Sequence, residues 1–147
     1  MHTVTVFNVH RASRVQKKKI EATVRNVLRG EGVLGAAVSV VFVDSRTIRR
    51  INRRFLSHDV VTDVIAFPLE PPPRLEGEIY VNLDRARQQA RERGLPVANE
   101  VARLVVHGTL HLTGYDDARP RAAARMHVRQ ESYVRRIAGG HERRRPH

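Results

Sequence analysis

The stretch Val105-Val106-His107-Gly108-Thr109-Leu110-His111-Leu112-Thr113-Gly114-Tyr115-Asp116-Asp117 constrains this chain more than any other. His107 and His111 stand four residues apart, so a helix through them stacks both imidazoles on one face. Gly114 follows where such a helix would end in a left-handed cap. Past that bend the chain can fold back, bringing Asp116 or Asp117 towards the imidazoles. Two nitrogens, one carboxylate oxygen and an open fourth position make a catalytic metal site. A bare H-x3-H is a weak signal, and two such histidines are often ordinary surface or core residues. The apolar run ending at Val106, the placement of the glycine stop and the carboxylates directly after it turn the balance towards a divalent metal.

The spacing H-x3-H-x2-G-x2-D also resembles the metzincin protease signature. In H-E-x-x-H the glutamate beside the first histidine is the general base. Here that position is Gly108, which carries no base, so the sequence argues against protease chemistry.

The chain has no cysteine, which excludes disulfides and thiolate zinc sites. No apolar run approaches a membrane span, and Met1 to His10 alternates polar and apolar residues rather than forming a signal peptide. The expected location is the cytoplasm. Against 15 acidic residues stand 27 basic ones, for a formal charge of +12. Apart from Lys17, Lys18 and Lys19 every basic residue other than histidine is arginine, whose planar fork suits phosphate. The alternative explanation of this excess is arginine-favouring codon usage. As a partner, such a field points to a polyanion, and to nucleic acid before an acidic membrane.

Periodicity sets out the remainder. Thr3 to Val9 alternates as a strand. Ser13 is expected to cap a helix over 14–29, with Lys17 to Lys19 on its solvated face. Ala37 to Val43 is apolar enough for a central strand. Asp44 or Ser45 caps a helix over 46–55 with Ile48, Ile51 and Phe55 inside. Its arginines Arg49, Arg50, Arg53 and Arg54 form either a solvated face or a phosphate-contacting ridge. Val64 to Phe67 is a strand limited by Pro68. The prolines between Glu70 and Arg74 make an extended loop, and Glu78 to Asn82 forms the fourth strand. Asp84 is expected to cap a helix over 85–93 that stops at Gly94. Pro96 opens the helix carrying Glu100, Leu104, His107 and His111. The last helix spans 121–137, with Ala124, Val128, Val134 and Ile137 inward. The fold class is α+β: one domain over 1–138, with a small mixed four-stranded sheet covered by about five helices, the metal site on the H-x3-H helix, and a disordered basic tail over 139–147.

His107-Gly108-Thr109-Leu110-His111-Leu112-Thr113-Gly114-Tyr115-Asp116 resembles the signature of the YbeY family of rRNA maturation endoribonucleases. The resemblance runs from about Val38 to Tyr133. It takes in Ile51-Asn52, Thr62-Asp63-Val64, Phe67-Pro68, Gly77-Glu78-Ile79, Gln89-Ala90, Glu100 and Met126. It implies an α+β metalloprotein holding zinc by three histidines and cleaving single-stranded RNA. It also implies a role in 16S rRNA 3′-end processing and ribosome quality control on the small ribosomal subunit. A monomer is expected.

The sequence departs from that pattern at three positions. The family's third ligand is a histidine directly after Gly-Tyr-Asp, where this chain has Asp117. A carboxylate can bind zinc, but it lowers the positive charge of the site and admits manganese or magnesium. His127 is an alternative third ligand. The family's arginine implicated in cleavage falls at Leu56, which leaves Arg53 or Arg54 to reach the same cleft. The family's serine before Phe67 is Ala66. The expected ligands are therefore His107, His111 and Asp117. Asp116 and Glu100 are candidates for the general base or for steadying the histidines, and Arg49, Arg50, Arg53 and Arg54 for binding RNA. The rival reading is an RNA- or ribosome-binding factor that kept the fold and lost cleavage.

Overall fold

A computed structural model describes residues 1–143, with side chains as far as Ile137 in the last helix. The elements follow in the order β1 (His2–Asn8), α1 (Lys17–Gly30), β2 (Gly35–Val43), α2 (Ser45–Leu56), β3 (Val64–Glu70), β4 (Arg74–Asn82), α3 (Leu83–Arg93), α4 (Val97–Leu112) and α5 (Pro120–Arg143). The strands form one mixed sheet in the order β1-β2-β4-β3. β1 with β2 and β2 with β4 pair in parallel, and β3 returns antiparallel along β4. This is the α+β architecture expected from the order of apolar patterns.

The main core lies between the sheet and helices α1, α3 and α4. Val38, Val40 and Phe42 of β2 and Leu75, Ile79 and Val81 of β4 meet Val24, Leu28, Ala86, Leu104, Val105 and Leu112 there. The other sheet face is covered in part by α2, through Ile48 against Val43 and Ile65. α4 packs on α1, α3, α5, β3 and β4, and most of its circumference is buried. It is the central rod of the molecule, and this is what fixes the direction of its histidines.

Several local expectations change. α1 begins at Lys17, without a side-chain cap, because Ser13 belongs to a tight turn before it. The Ser13 amide donates to His10 Nδ1 at 3.1 Å, and its carbonyl accepts from Asn8 Nδ2 at 2.8 Å. Pro68 does not end β3 but lies inside it, opposite Gly77. β3 is an edge strand, where a missing amide proton is tolerated. The proline-rich stretch after Glu70 is a short reversal into β4, which starts at Arg74 rather than near Glu78. Asn82 caps α3, accepting from the Arg85 amide at 3.2 Å. Asp84, expected in that role, instead accepts from the Ser45 amide at 2.9 Å and pairs with His10 Nε2 at 2.7 Å.

On α2 the inner residue is Asn52 rather than Phe55, which is 64% exposed. The Asn52 side-chain amide donates to Val60 O at 3.0 Å and Thr62 Oγ1 at 3.1 Å, and the Asn52 backbone carbonyl accepts from the His58 amide. Phe55 packs edge-on against Phe67 instead, with ring centroids 6.2 Å apart. α5 turns Met126, Gln130, Tyr133 and Val134 inward, whereas Val128 is 67% exposed and Ala124 lies on the outer side. This helix continues to Arg143, through the first part of the segment expected to be a disordered tail. The two glycines at 139 and 140 weaken a helix by about 1 kcal/mol each but do not block its hydrogen bonds. Residues 144–147 of that segment lie outside the described residues.

Candidate metal centre

The C-terminus of α4 builds the centre. Thr113 is the last residue near helical geometry, and Gly114 follows at φ +113°. The Gly114 amide bonds to His111 O and the Tyr115 amide to Leu110 O, both at 3.1 Å, which is the paired pattern of a Schellman cap. That cap reverses the chain and lays residues 115–117 beside the helix end.

Three side chains converge as a result. His107 Nε2 and His111 Nε2 are 3.2 Å apart. Asp117 Oδ2 lies 3.6 Å from the first and 3.4 Å from the second. Both imidazoles are about one-quarter exposed and Asp117 is half exposed, so the centre is open on one side.

The hydrogen bonds behind the rings set their tautomers. His111 Nδ1 lies 3.1 Å from Tyr115 O, a carbonyl that can only accept, so Nδ1 carries the proton. His107 Nδ1 lies 2.7 Å from Gln130 Oε1, which likewise accepts. Both Nε2 lone pairs are therefore turned towards each other and towards a carboxylate oxygen. Three electron-rich atoms held this close repel unless a cation sits among them. Zinc–nitrogen bonds of about 2.0–2.1 Å in a tetrahedron place neighbouring donors about 3.4 Å apart. The observed triangle has that size, and the donor set suits a divalent metal. Neither Gln130 nor the Tyr115 carbonyl was singled out from the sequence. The first needs the fold of α5, though the position of the second, just past the glycine stop, was a usable signal.

The other candidates lie as follows. Asp116 is exposed, and its Oδ1 accepts from the Ala118 amide at 2.9 Å, closing the turn. Glu100 is fully buried and touches neither histidine; it pairs with Arg93 at 3.1 Å and with Arg103 at 2.6 Å. His127 is exposed on α5 and outside the ligand cluster. Of the α2 arginines, Arg49 and Arg53 both grip Asp59, at 2.7 Å and 3.0 Å. The Arg49 hydrogen bond, then that of Arg53, holds the Asp59 carboxyl down at about 2. Among the described residues Arg50 and Arg54 have no ion-pair partner, and Arg54 lies over the Phe55 ring at 5.6 Å. Leu56 is 40% exposed at the end of the same helix.

A family model described as Endoribonuclease YbeY matches residues 5–138. The chain belongs to the YbeY family. Proteins named Endoribonuclease YbeY resemble it along most of their length. That of Chlorobium phaeovibrioides is 36% identical, covering 94% of this chain and 93% of its own. That of Chlorobium luteolum is 40% identical, over 78% and 83%. That of Salinibacter ruber is 34% identical, over 91% of each. Among solved structures, the solution structure of TM1509 from Thermotoga maritima superposes with a TM-score of 0.70 at 26% identity, covering 95% of this chain and 92% of that one. The YbeY resemblance read from the H-x3-H segment and its outlying matches thus holds across the whole domain. Among the described residues no helix is long and apolar enough to cross a membrane.

Proposed function

We propose that this protein is a metal-dependent endoribonuclease that cuts single-stranded RNA during rRNA maturation. The observation that carries the reading is the triangle of His107 Nε2, His111 Nε2 and Asp117 Oδ2, with both Nδ1 protons engaged behind it. Family membership gives the reaction class, and the charge of +12 suits a phosphate backbone. All three donors come from one chain, so a monomer suffices.

His107, His111 and Asp117 would hold one zinc, or a manganese or magnesium ion because one donor is a carboxylate. When bound, such an ion polarises a phosphoryl oxygen and makes water a better nucleophile at neutral pH. The half-exposed Asp117 leaves room beside it for a substrate phosphate. Arg50 and Arg54, with no carboxylate partner among the described residues, are available to bind flanking phosphates; Arg49 and Arg53 must first leave Asp59. Asp116, beside Asp117 in the chain, is the candidate proton acceptor. The substrate we propose is 16S rRNA near its 3′ end, on the small ribosomal subunit in the cytoplasm, where cleavage would also serve quality control.

The test incubates the pure protein with single-stranded RNA and with the matching duplex, with and without chelator. Cleavage of the single strand, abolished by chelation and by His111→Ala, is the expected result. Cleavage that survives both removes the metal from the reading. Salt-sensitive RNA binding with no cleavage under zinc, manganese or magnesium would make the protein a binding factor instead.

A further inference from the structure

The two histidines are oriented by different means. A backbone carbonyl orients His111, and its polarity cannot be reversed. His107 depends on a side-chain amide, and an amide can turn over. If Gln130 presented its NH2 group to His107, Nδ1 would have to accept. The imidazole proton would then sit on Nε2 and block the lone pair that faces Asp117.

The structure shows what prevents this. Gln130 is buried, and its Nε2 donates to Glu131 Oε2 at 3.1 Å. A carboxylate offers no proton in return, so the amide oxygen must face His107. Arg103 grips Glu131 with two parallel bonds, Nε and Nη2, both at 2.9 Å. Its remaining Nη1 reaches Glu100 at 2.6 Å, and Arg93 approaches Glu100 from the other side at 3.1 Å. Glu100 has no exposed surface, so its charge is tied to these two cations and cannot turn to water. Two carboxylates and two guanidinium groups cancel, and the array fixes a direction without adding net charge to the metal centre.

We propose that Gln130 is a positioning residue that sets the His107 tautomer, and that Glu131, Arg103 and Glu100 hold its amide in the one orientation that leaves Nε2 free. The proposal rests on the metal-site reading and deepens it. It also returns to Glu100 a part in steadying His107, acting from four links away.

The experiment reads the imidazoles directly. Metal-free protein labelled with nitrogen-15 is examined by long-range proton–nitrogen correlation at about pH 8, where ordinary imidazoles are neutral. The variants are Gln130→Leu, Gln130→Glu and Glu131→Gln. Zinc affinity is measured in parallel by competition with a coloured chelator. Wild type should show His107 protonated on Nδ1. Gln130→Leu and Glu131→Gln should give mixed His107 tautomers and zinc affinity about 10- to 100-fold weaker. Gln130→Glu, whose second oxygen must share a proton with Glu131 in place of the lost amide donor, still offers His107 an acceptor and should keep the wild-type tautomer. His111 should not change in any of them. If Gln130→Leu does not fold, Glu131→Gln and Gln130→Glu carry the comparison. His107 remaining wholly Nδ1-protonated in Glu131→Gln overturns the proposal, and so does a His107 tautomer as mixed in Gln130→Glu as in Gln130→Leu. Tautomer changes in a protein that binds no zinc would sustain the array and defeat the metal reading, so the two failures are separable.

Discussion

Gly108 lies against Ile79: a Cβ on it would stand 2.6 Å from Ile79 Cγ2 and 3.4 Å from Val64 Cγ2. The residue after the first histidine therefore faces the sheet, while the histidines face the α5 side. A glutamate at this position could not serve as a base over the metal, because it would be driven into β3 and β4. The likeness to protease spacing is thus limited to the ligands. Here glycine lets α4 come close enough to the sheet to bury its other faces.

That contact makes a stability prediction. Gly108→Ala gains about 1 kcal/mol in helix propensity, but it overfills a packed interface at a cost of roughly 1–3 kcal/mol. Ile79 is fully buried and branched, so it has little room to move. The net expectation is a loss of up to about 2 kcal/mol and a lower midpoint on thermal unfolding. Zinc affinity measured well below that midpoint should change much less than it does for a ligand substitution. An unchanged or raised midpoint would show that the close approach is not tight.

How far this was readable in the sequence follows from the range of each signal. The H-x3-H spacing, the glycine stop and the apolar strands are local patterns, and they give the element order and place His107 and His111 on one face of α4. Asn52, Thr62, Asp63 and Gln89 were recognisable as family matches without a reason, and the structure supplies one. Asn52 pins the 57–62 loop, and the Gln89 amide reaches Asp63 at 3.3 Å. Gln130 lies 23 positions from the histidine it orients, so no local pattern could expose it. Periodicity puts Phe55 inside on α2 and passes over Asn52, because apolarity outranks polarity in such a reading. The loop after α2 reverses that ranking by taking a buried amide as its anchor. The sequence leaves the four α2 arginines between a solvated face and a phosphate-contacting ridge and cannot divide them, because Asp59, the partner that Arg49 and Arg53 share, belongs to the following loop.

Asp59 neutralises part of that ridge. Asp59→Ala removes one negative charge and releases both Arg49 and Arg53. If this face contacts RNA, binding should tighten, and the slope of log affinity against log salt should steepen by about 1–2 as one or two further phosphates are met. Folding stability should barely change, since the ion pairs are surface pairs screened by water. Fluorescence anisotropy with a short single-stranded RNA across a salt series checks both. An unchanged slope, with Arg50→Ala and Arg54→Ala also silent, would take this face out of RNA recognition.

Glu31 joins the end of α1 to α5 and to Tyr115 in the turn that carries Asp117. Burial pushes its carboxyl up, but hydrogen bonds from Tyr133, Tyr115 and Arg129 together outweigh this and hold it below its ordinary value of 4.5. The sign is that of a depressed acid. Its stabilisation is complete above about pH 4.5 and is lost as pH falls from there through the lower folded-state value. The Tyr133 hydroxyl is the counterpart, pushed up to about 12 by burial and by the Glu31 carboxylate. Glu31→Gln should be less stable than wild type at pH 7, by roughly 1–3 kcal/mol. Its midpoint should also fall less steeply below pH 4.5, a value set by the ordinary glutamate range. Parallel wild-type and variant curves over that interval would show that Glu31 is not the group being titrated.

If the triangle holds a metal, Asp117 should decide which one it prefers. Its Oδ2 completes the triangle at 3.4–3.6 Å from the imidazoles, and it is the only anionic donor in the cluster. Asp117→Ala removes a donor and its charge together. The loss of zinc affinity should exceed the 10- to 100-fold that follows from removing a supporting hydrogen bond. Asp117→Asn keeps the shape and removes the charge, so its affinity should fall between those of wild type and Asp117→Ala. Asp117→His exchanges a hard oxygen for a third imidazole nitrogen. Zinc should then be favoured over manganese by at least about tenfold relative to wild type, because imidazole suits zinc and carboxylate suits manganese. Competitive titration of the four proteins with both metals measures these ratios directly. If Asp117→Ala retained wild-type zinc affinity, Asp117 would not be a ligand, and the two histidines would need a donor from elsewhere, from the substrate or from water.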